Sequence, residues 1–397
     1  MKRVAILGST GSIGVNTLAV IAEHPEEFRV VGLGARANVE RLAEQVRRFH
    51  PDTVAVWEGE RSDALRAALG ADTPHLLTGL EGLRTLAADA AADIVVIAMS
   101  GSQAVLPLMD AIRAGKRIAL ANKESIVMAG EVVRRLLDAS SATLIPVDSE
   151  HNALYQCLEG RDPATIERVY LTGSGGPLRD VPASEFASLT VEAVLNHPKW
   201  KMGRKITVDS ATLINKGLEL IEARWLFGLP LPRIQTLIHP EAVIHAMVEF
   251  VDGTCLAVLA PCDMRLAIQY ALSAPRRLRS RVPPLDFAAA VRHQFLPPDE
   301  EKFPCLRLAR EAARAGGTLP AVLNAANEEA VWAFLDGAMR FVDIATVIER
   351  TLQHSTNHAS PTLETLLAAD QQARVAAREA MSRLRSSHAV PAASALS

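Results

Sequence analysis

The chain has 397 residues, 49% of them hydrophobic, which is enough for two or three domains and too apolar for a disordered protein. Its 42 Lys and Arg against 45 Asp and Glu leave a net charge of −3, which excludes a charge-dominated role on nucleic acid or on a membrane surface. Four scattered cysteines (Cys157, Cys255, Cys262, Cys305), with no C-x-x-C pair, read as reduced thiols.

At the N-terminus "MKR" is basic, but "VAIL" is too short for a secretory h-region and runs straight into "GSTG". The longest uncharged run, 94–109, carries Gly, Ser, Gln and Pro and makes a poor membrane span. A soluble, cytoplasmic protein is expected. Residues 1–147 alternate apolar strands with helical stretches: "RVAILG", "SIGVNTLAVIAEHP", "FRVVGLGA", "NVERLAEQVRRFH", then the strands "TVAVW", "ADIVVIAM", "RIALA" and "ATLIPVD". Fully apolar strands between amphipathic helices predict an α/β domain with a Rossmann-like parallel sheet covered on both faces. "GSTGSIG", Gly8 to Gly14, follows the first strand and opens the first helix. Glycines there permit a tight turn, and the helix N-terminus offers free N–H groups to a pyrophosphate. The second strand ends "GLGARAN", with no acid for a ribose 2′-hydroxyl and with Arg36 as a cation for a 2′-phosphate, so NADP is favoured over NAD.

Residues 148–273 read as an α+β domain. It holds the loop "LTGSGGPLRD", the segment "NHPKWKMGRK", one helix "SATLINKGLELIEARWLF", and a hairpin in "TLIHPEAVIHAMVEFVDGTCLAVLAP" turning at "DGT". Prolines mark 274–304 as a linker, 305–385 reads as a C-terminal helical bundle domain, and 386–397 as a disordered tail.

Within "PVDSEHN", Asp148 and Glu150 are two residues apart on a segment expected to be extended, which points both to one side. Neighbouring carboxylates resist burial together, so a metal, a basic partner or water must balance them. Two hard oxygen donors suit Mg²⁺ or Mn²⁺, and "NKGLELIEAR" offers Glu219 and Glu222 as a third. "TGSGGP" (172–177) forms either an anion-binding nest or a plain hinge. Ser174, Ser210, Asn215 and Lys216 are donors suited to a phosphate, and His197 with Trp200 suits a water-excluding lid.

Together "ILGSTGSIG", "LANKES", "PVDSEHNA", "LTGSGGP", "HPKWKMGRKITVDSATLINKGLE", "EARWLF", "LIHPEAVIHAMV" and "VLNAANEEA" closely resemble the 1-deoxy-D-xylulose 5-phosphate reductoisomerase family, in order from about residue 3 to about 350. The resemblance implies NADPH-dependent, divalent-metal-dependent rearrangement and reduction of 1-deoxy-D-xylulose 5-phosphate to 2-C-methyl-D-erythritol 4-phosphate, in the methylerythritol phosphate route to isoprenoids. It implies that Asp148, Glu150 and Glu219 hold Mg²⁺ or Mn²⁺, with Co²⁺ a further option. Ser174, His197, Ser210, Asn215 and Lys216 would hold the substrate, chiefly its phosphate, with Lys123 and Ser149 at its hydroxyl and carbonyl end. Thr10, Gly11, Ser12, Ile13, Asn38, Asn122, Glu124 and Gly203 would contact NADPH, and Trp200 and Met202 would belong to a lid within 174–204. The resemblance further implies that 148–273 is the catalytic and dimerisation domain, with a homodimer paired through its sheet.

Many relatives carry Gly-Lys where this chain has Arg36-Ala37, which moves the cation by one residue. Cys262, in "PCDM", has no assigned role. The rearrangement can run by retro-aldol and aldol steps or by an α-ketol shift, since both use the same ligands. Two other readings are a metal-independent semialdehyde or homoserine-type dehydrogenase and a non-catalytic NADP sensor. The first leaves "VDSE" and "NKGLE" without a purpose, and the second does not need the acids.

Overall fold

Six of the seven strands in the first sheet are the apolar runs read from the sequence. They are β1 (Lys2–Leu7), β2 (Phe28–Ala35), β3 (Thr53–Val56), β5 (Ile94–Ile97), β6 (Arg117–Leu120) and β7 (Thr143–Pro146). The seventh, β4 (His75–Thr78), carries no apolar run because it is a half-exposed edge strand. The chain is described by a computed structural model over residues 1–288 and 292–388. The sheet is parallel throughout, in the order β4-β3-β2-β1-β5-β6-β7.

Helices α1 (Ser12–Glu23), α2 (Val39–Phe49), α3 (Ser62–Leu69), α4 (Gly79–Ala88), α5 (Val105–Arg113) and α6 (Lys123–Asp138) connect these strands. Val4, Ile6, Leu33, Ile94 and Val96 face one apolar layer, while Ala5, Leu7, Val95 and Ile97 face the other, as alternation along doubly covered strands requires. Chain order reverses between β1 and β5, which opens the crevice where such sheets bind ligands, beyond the carboxyl ends of the strands.

The middle region holds α7 (Ser149–Leu158), β8 (Ile166–Gly173), α8 (Val191–Leu195), α9 (Arg204–Ala211), α10 (Ile214–Phe227), β9 (Ile234–Ile238), β10 (Ile244–Phe250), β11 (Cys255–Leu259) and α11 (Met264–Ser273). Its sheet runs β11-β10-β8-β9. The expected hairpin is β10–β11, but β9 pairs parallel with β8 instead of joining it. The single helix expected from "SATLINKGLELIEARWLF" is broken: α9 ends at Ala211 and α10 starts at Ile214, with Leu213 between them at φ +58°.

The sequence assigns α11 to the middle domain, yet its Ile268, Tyr270, Ala271 and Leu272 join the apolar layer of the first sheet. Amphipathic periodicity fixes that a helix buries one face, but not against what. Helices α12 (Pro304–Ala315), α13 (Leu319–Leu335), α14 (Asp343–His354) and α15 (Leu363–His388) follow the linker. They share one continuous core with the middle sheet, in which Leu306 and Ala309 of α12 meet Ile214 and Leu218 of α10. Gly217 permits that approach, since a Cβ there would lie 2.3 Å from the Ala309 Cβ. Helix α15 reaches His388, so the first three residues of the expected disordered tail are helical; 389–397 lie outside the described residues.

Candidate active site

The glycine turn forms as its spacing demands. Gly8 adopts φ +92°, and the N–H groups of Gly8 and Ser9 bond the Gly34 carbonyl at 2.8 and 2.9 Å. A Cβ on Gly8 would sit 2.4 Å from the Ala98 oxygen, and one on Gly14 2.3 Å from the Gly8 oxygen. Gly11 is the N-cap of α1, with no side chain covering the helix N-terminus. The turn thus packs β1, β5 and α1 together while leaving peptide N–H groups for an anion, which fits a dinucleotide pyrophosphate.

Asn38 caps α2, accepting from Arg41 N at 3.1 Å. Arg36 is 81% exposed and pairs with Glu58 at 3.3 Å, a surface ion pair weak enough to exchange for another anion. Arg41, which the sequence did not single out, donates to the Thr10 carbonyl at 3.1 Å and brings a second guanidinium to the turn. Asn122 and Glu124 are buried and engaged within the protein. Asn122 caps α6 and donates to the Met99 and Gly101 carbonyls, and Glu124 pairs with Lys205 at 3.2 Å. Neither lines the central cavity.

That cavity, of about 600 Å³, lies between the two sheets and joins both halves of the site. Ser12 and Ile13 enter it from the dinucleotide turn; Lys123, Asp148, Ser149 and Glu150 come from β6–α6 and β7–α7; Ser174 comes from the glycine-rich loop. His197, Trp200, Met202 and Gly203 cover it, while Ser210, Asn215, Lys216 and Glu219 come from α9 and α10. Thr10, Gly11, Arg36 and Asn38 are not among its lining residues.

Asp148 and Glu150 meet for a different reason from the one expected. The segment is not extended: Asp148 is the N-cap of α7, accepting from Glu150 N at 3.3 Å, and Glu150 stands in the first turn. Glu219 arrives from the second turn of α10, aimed by the break at Leu213. An αL conformation at a non-glycine residue is strained and persists only where packing enforces it. Donor oxygens of Asp148, Glu150 and Glu219 all lie within 4.8 Å of one another.

Two lysines hold this cluster together. Lys123 Nζ lies 2.9 Å from Asp148 Oδ2, 2.6 Å from Asn215 Oδ1 and 3.5 Å from Glu219 Oε1. Lys216 Nζ bonds Glu150 Oε1 at 2.9 Å, Glu219 Oε2 and the Thr172 carbonyl. Burial and then Glu150 push Glu219 up to about 7, against the pull of Lys216. Burial alone would also raise Asp148, but Lys123 and then His151 hold it well below the usual carboxylate range. Two buried groups behind the cluster carried no sequence signal as a pair. His151 Nδ1 is 3.4 Å from Asp148 and 3.3 Å from Glu222, and its Nε2 is 3.0 Å from the Glu219 carbonyl. Glu222, a candidate ligand by sequence, therefore backs the site through His151 and is not one of the three converging acids.

In the glycine-rich loop, Gly175 and Gly176 have φ +86° and +71°. A Cβ on Gly176 would lie 2.4 Å from the Ser210 oxygen, so the loop packs directly on the end of α9. Ser174 Oγ is 3.0 Å from His197 Nε2. His197 Nδ1 accepts from the N–H groups of Lys199 and Trp200 at 3.2 and 2.9 Å, so its Nε2 carries the proton and donates to Ser174. Burial pushes the His197 imidazole below its ordinary value, which keeps it neutral. Trp200 packs near His245, ring centroids 6.1 Å apart, and Cys262 lines the same wall.

Three family descriptions match the chain in turn: 1-deoxy-D-xylulose 5-phosphate reductoisomerase over residues 4–130, its C-terminal domain over 144–227, and the DXP reductoisomerase C-terminal domain over 259–376. Curated 1-deoxy-D-xylulose 5-phosphate reductoisomerases are similar along nearly their whole length. The one from Chlorobium limicola is 48% identical over 96% of this chain and 99% of its own. The one from a Synechococcus species is 50% identical over 94% and 96%. Among solved structures, a DOX-P reductoisomerase in complex with NADPH, fosmidomycin and magnesium superposes with a TM-score of 0.93 at 40% identity, covering 97% of this chain and 99% of that one. The Zymomonas mobilis enzyme in complex with NADPH gives 0.89 at 40% identity, covering 96% and 99%.

Proposed function

Because the chain belongs to the 1-deoxy-D-xylulose 5-phosphate reductoisomerase family, we propose a specific division of labour among its site residues. The enzyme converts 1-deoxy-D-xylulose 5-phosphate to 2-C-methyl-D-erythritol 4-phosphate, with NADPH and a divalent metal ion. The observation that carries the residue-level reading is the convergence of three carboxylates on one cavity wall, opposite the dinucleotide turn.

Asp148, Glu150 and Glu219 hold Mg²⁺ or Mn²⁺, whose oxygen preference and double charge match one buried and two half-buried acids. When bound, the ion supplies Lewis acidity to oxygens of the ketose phosphate. Lys123 and Lys216 are committed to the carboxylates in the structure. Once those acids serve a cation, both ammonium groups are free to meet substrate oxygens, Lys123 beside Ser149 at the reacting end and Lys216 at the phosphate. Ser174, Ser210 and Asn215 complete the phosphate site, and neutral His197 donates its Nε2 proton there after leaving Ser174. Residues 174–204 act as the lid, with Trp200 and Met202 excluding water. Phosphate binding and closure direct remote binding energy to the reacting carbons.

Gly11, Ser12 and Ile13 present α1 to the NADPH pyrophosphate, and NADPH supplies the hydride. Arg36 leaves Glu58 for the 2′-phosphate, and Thr10, Asn38, Asn122, Glu124 and Gly203 frame the cofactor. No helix among the described residues is long and apolar enough to cross a membrane. The four cysteines are free thiols, which supports a reducing, cytoplasmic setting. A homodimer through the middle sheet is supported by β11. It is an edge strand, and its Leu256 and Leu259 are each 38% exposed.

The test follows loss of NADPH absorbance with 1-deoxy-D-xylulose 5-phosphate, with and without Mg²⁺ or Mn²⁺, in the parent and in Asp148→Asn. Metal-dependent oxidation that the substitution abolishes supports the assignment; equal turnover in both proteins removes it.

A further inference from the structure

We propose that His239, Glu241 and His293 form a second metal site, of the kind zinc occupies, which fastens the interdomain linker behind the glycine-rich loop. One ligand atom from each of these residues lies within 4.8 Å of the other two. His239 Nδ1 stands 3.0 Å from Glu241 Oε2 and 2.9 Å from the Gln294 carbonyl oxygen. A tetrahedral ion with bonds of about 2.0–2.1 Å keeps its ligand atoms about 3.4 Å apart, so donors gathered within 4.8 Å of one another would have to close by up to about 1.4 Å to hold one.

The imidazole of His239 is fully buried, and its Nε2 has no hydrogen-bond partner among the described residues. Nδ1, which faces Glu241 and the Gln294 carbonyl, is the nitrogen that a cation shared with Glu241 would engage, and Nε2 would then carry the ring proton. Phe295 stacks on the ring at a centroid distance of 5.0 Å and shields it, whereas His293 is exposed and leaves an approach from solvent. Two imidazoles and one carboxylate select zinc-like ions over Mg²⁺. The three-carboxylate cluster in the main cavity has the opposite preference.

The position gives such an ion a mechanical role. His239 directly follows β9, and its N–H bonds the Gly173 carbonyl at 2.7 Å, where the glycine-rich loop begins. Next to it, Ile238 and Leu296 exchange N–H···O bonds of 2.8 and 2.9 Å, the antiparallel bridge that brings the linker to the sheet. A Cβ on Gly175 would lie 3.0 Å from Ile238 Cγ2, so this corner is in contact with the loop's own backbone. An ion shared by His239, Glu241 and the linker's His293 would make that corner one rigid unit.

The experiment uses the full chain, stripped with chelator and then kept in millimolar Mg²⁺ to occupy the carboxylate cluster. Co²⁺ is titrated in while visible absorption is recorded, since a nitrogen-containing tetrahedral site gives intense bands and an oxygen-only octahedral one does not. Expected is a saturable band at one equivalent, displaced by Zn²⁺, and a rise in Tm with Zn²⁺. In His293→Ala, whose exposed side chain is not needed for folding, and in Glu241→Gln, Co²⁺ affinity should fall at least about tenfold and the Zn²⁺ shift should vanish. Absence of the band, or an equal band and equal Zn²⁺ shift in both variants, overturns the site.

Discussion

Replacing Glu219 by glutamine keeps shape and removes the charge of the fully buried member of the cluster. Two terms oppose each other in the metal-free chain. Lys216 and Asn215 lose a charged acceptor, worth about 1.5–3 kcal/mol per bond. Against that, the neutral amide removes the buried charge that faces Glu150 and lifts the glutamate to about 7. A rise from the ordinary value of 4.5 to about 7 corresponds to about 3 kcal/mol of ionisation cost above neutral pH. The terms largely offset, so Glu219→Gln should stay within about 3 kcal/mol of the parent without metal. With metal the proteins should separate. At a concentration one hundred times its Kd, a ligand stabilises by about 2.7 kcal/mol; a variant binding a hundredfold more weakly gains only about 0.4. The difference, about 2 kcal/mol, is a Tm gap of about 3 °C for a chain of this size. Thermal unfolding across a Mg²⁺ titration, paired with NADPH oxidation, measures both. Expected are similar melts in chelator, a Mg²⁺-dependent shift confined to the parent, and turnover reduced at least about a hundredfold. Parental turnover together with the parental Mg²⁺ shift would falsify Glu219 as a ligand.

Arg36→Ala should weaken NADPH binding about tenfold or more and barely change NADH binding, while stability moves by less than about 1 kcal/mol because its ion pair with Glu58 is exposed; equal weakening of both cofactors rejects a 2′-phosphate contact. Protonating His197 would set an N–H against those of Lys199 and Trp200. Its folded value is depressed by burial, so the observed conformation of the loop around His197 is favoured above the ordinary histidine value of 6.5 and loses that support as pH falls below it. KM for the sugar phosphate should therefore rise on acidification in the parent, and His197→Gln should flatten that rise; an unchanged profile in the variant would point to another group. Gly14→Ala should lose NADPH binding and about 1–3 kcal/mol of stability, because its Cβ would lie 2.3 Å from backbone oxygen, whereas Gly11→Ala, at 3.4 Å, should fold normally. Denaturant titration of the two variants checks the contrast, and equal stability would show that the turn can relax.

Much of this site can be read along the chain because its key contacts are local. The turn from Gly8 to Gly14 follows from glycine spacing, since close backbone approach is a property of a few successive residues. Asp148 and Glu150 can be paired from their spacing even though the expected extended geometry is wrong: an N-cap and its first helical turn bring the two carboxylates near, as a strand would have done. The edge strand β4 leaves no trace in the hydrophobic pattern because an exposed edge needs no apolar run.

By itself, then, the sequence determined the parallel sheet, the glycine turn that opens α1 and the pairing of Asp148 with Glu150, because each rests on hydrophobic period or on chemistry within a few residues. Tertiary structure alone decided which distant groups share a charge environment. It placed Lys123 and Lys216 among the carboxylates, set His151 and Glu222 behind them, broke the helix at Leu213 to aim Glu219, and carried α11 to the first sheet. These depend on how apolar faces choose partners across the fold, and on fields that act through space, not along the chain.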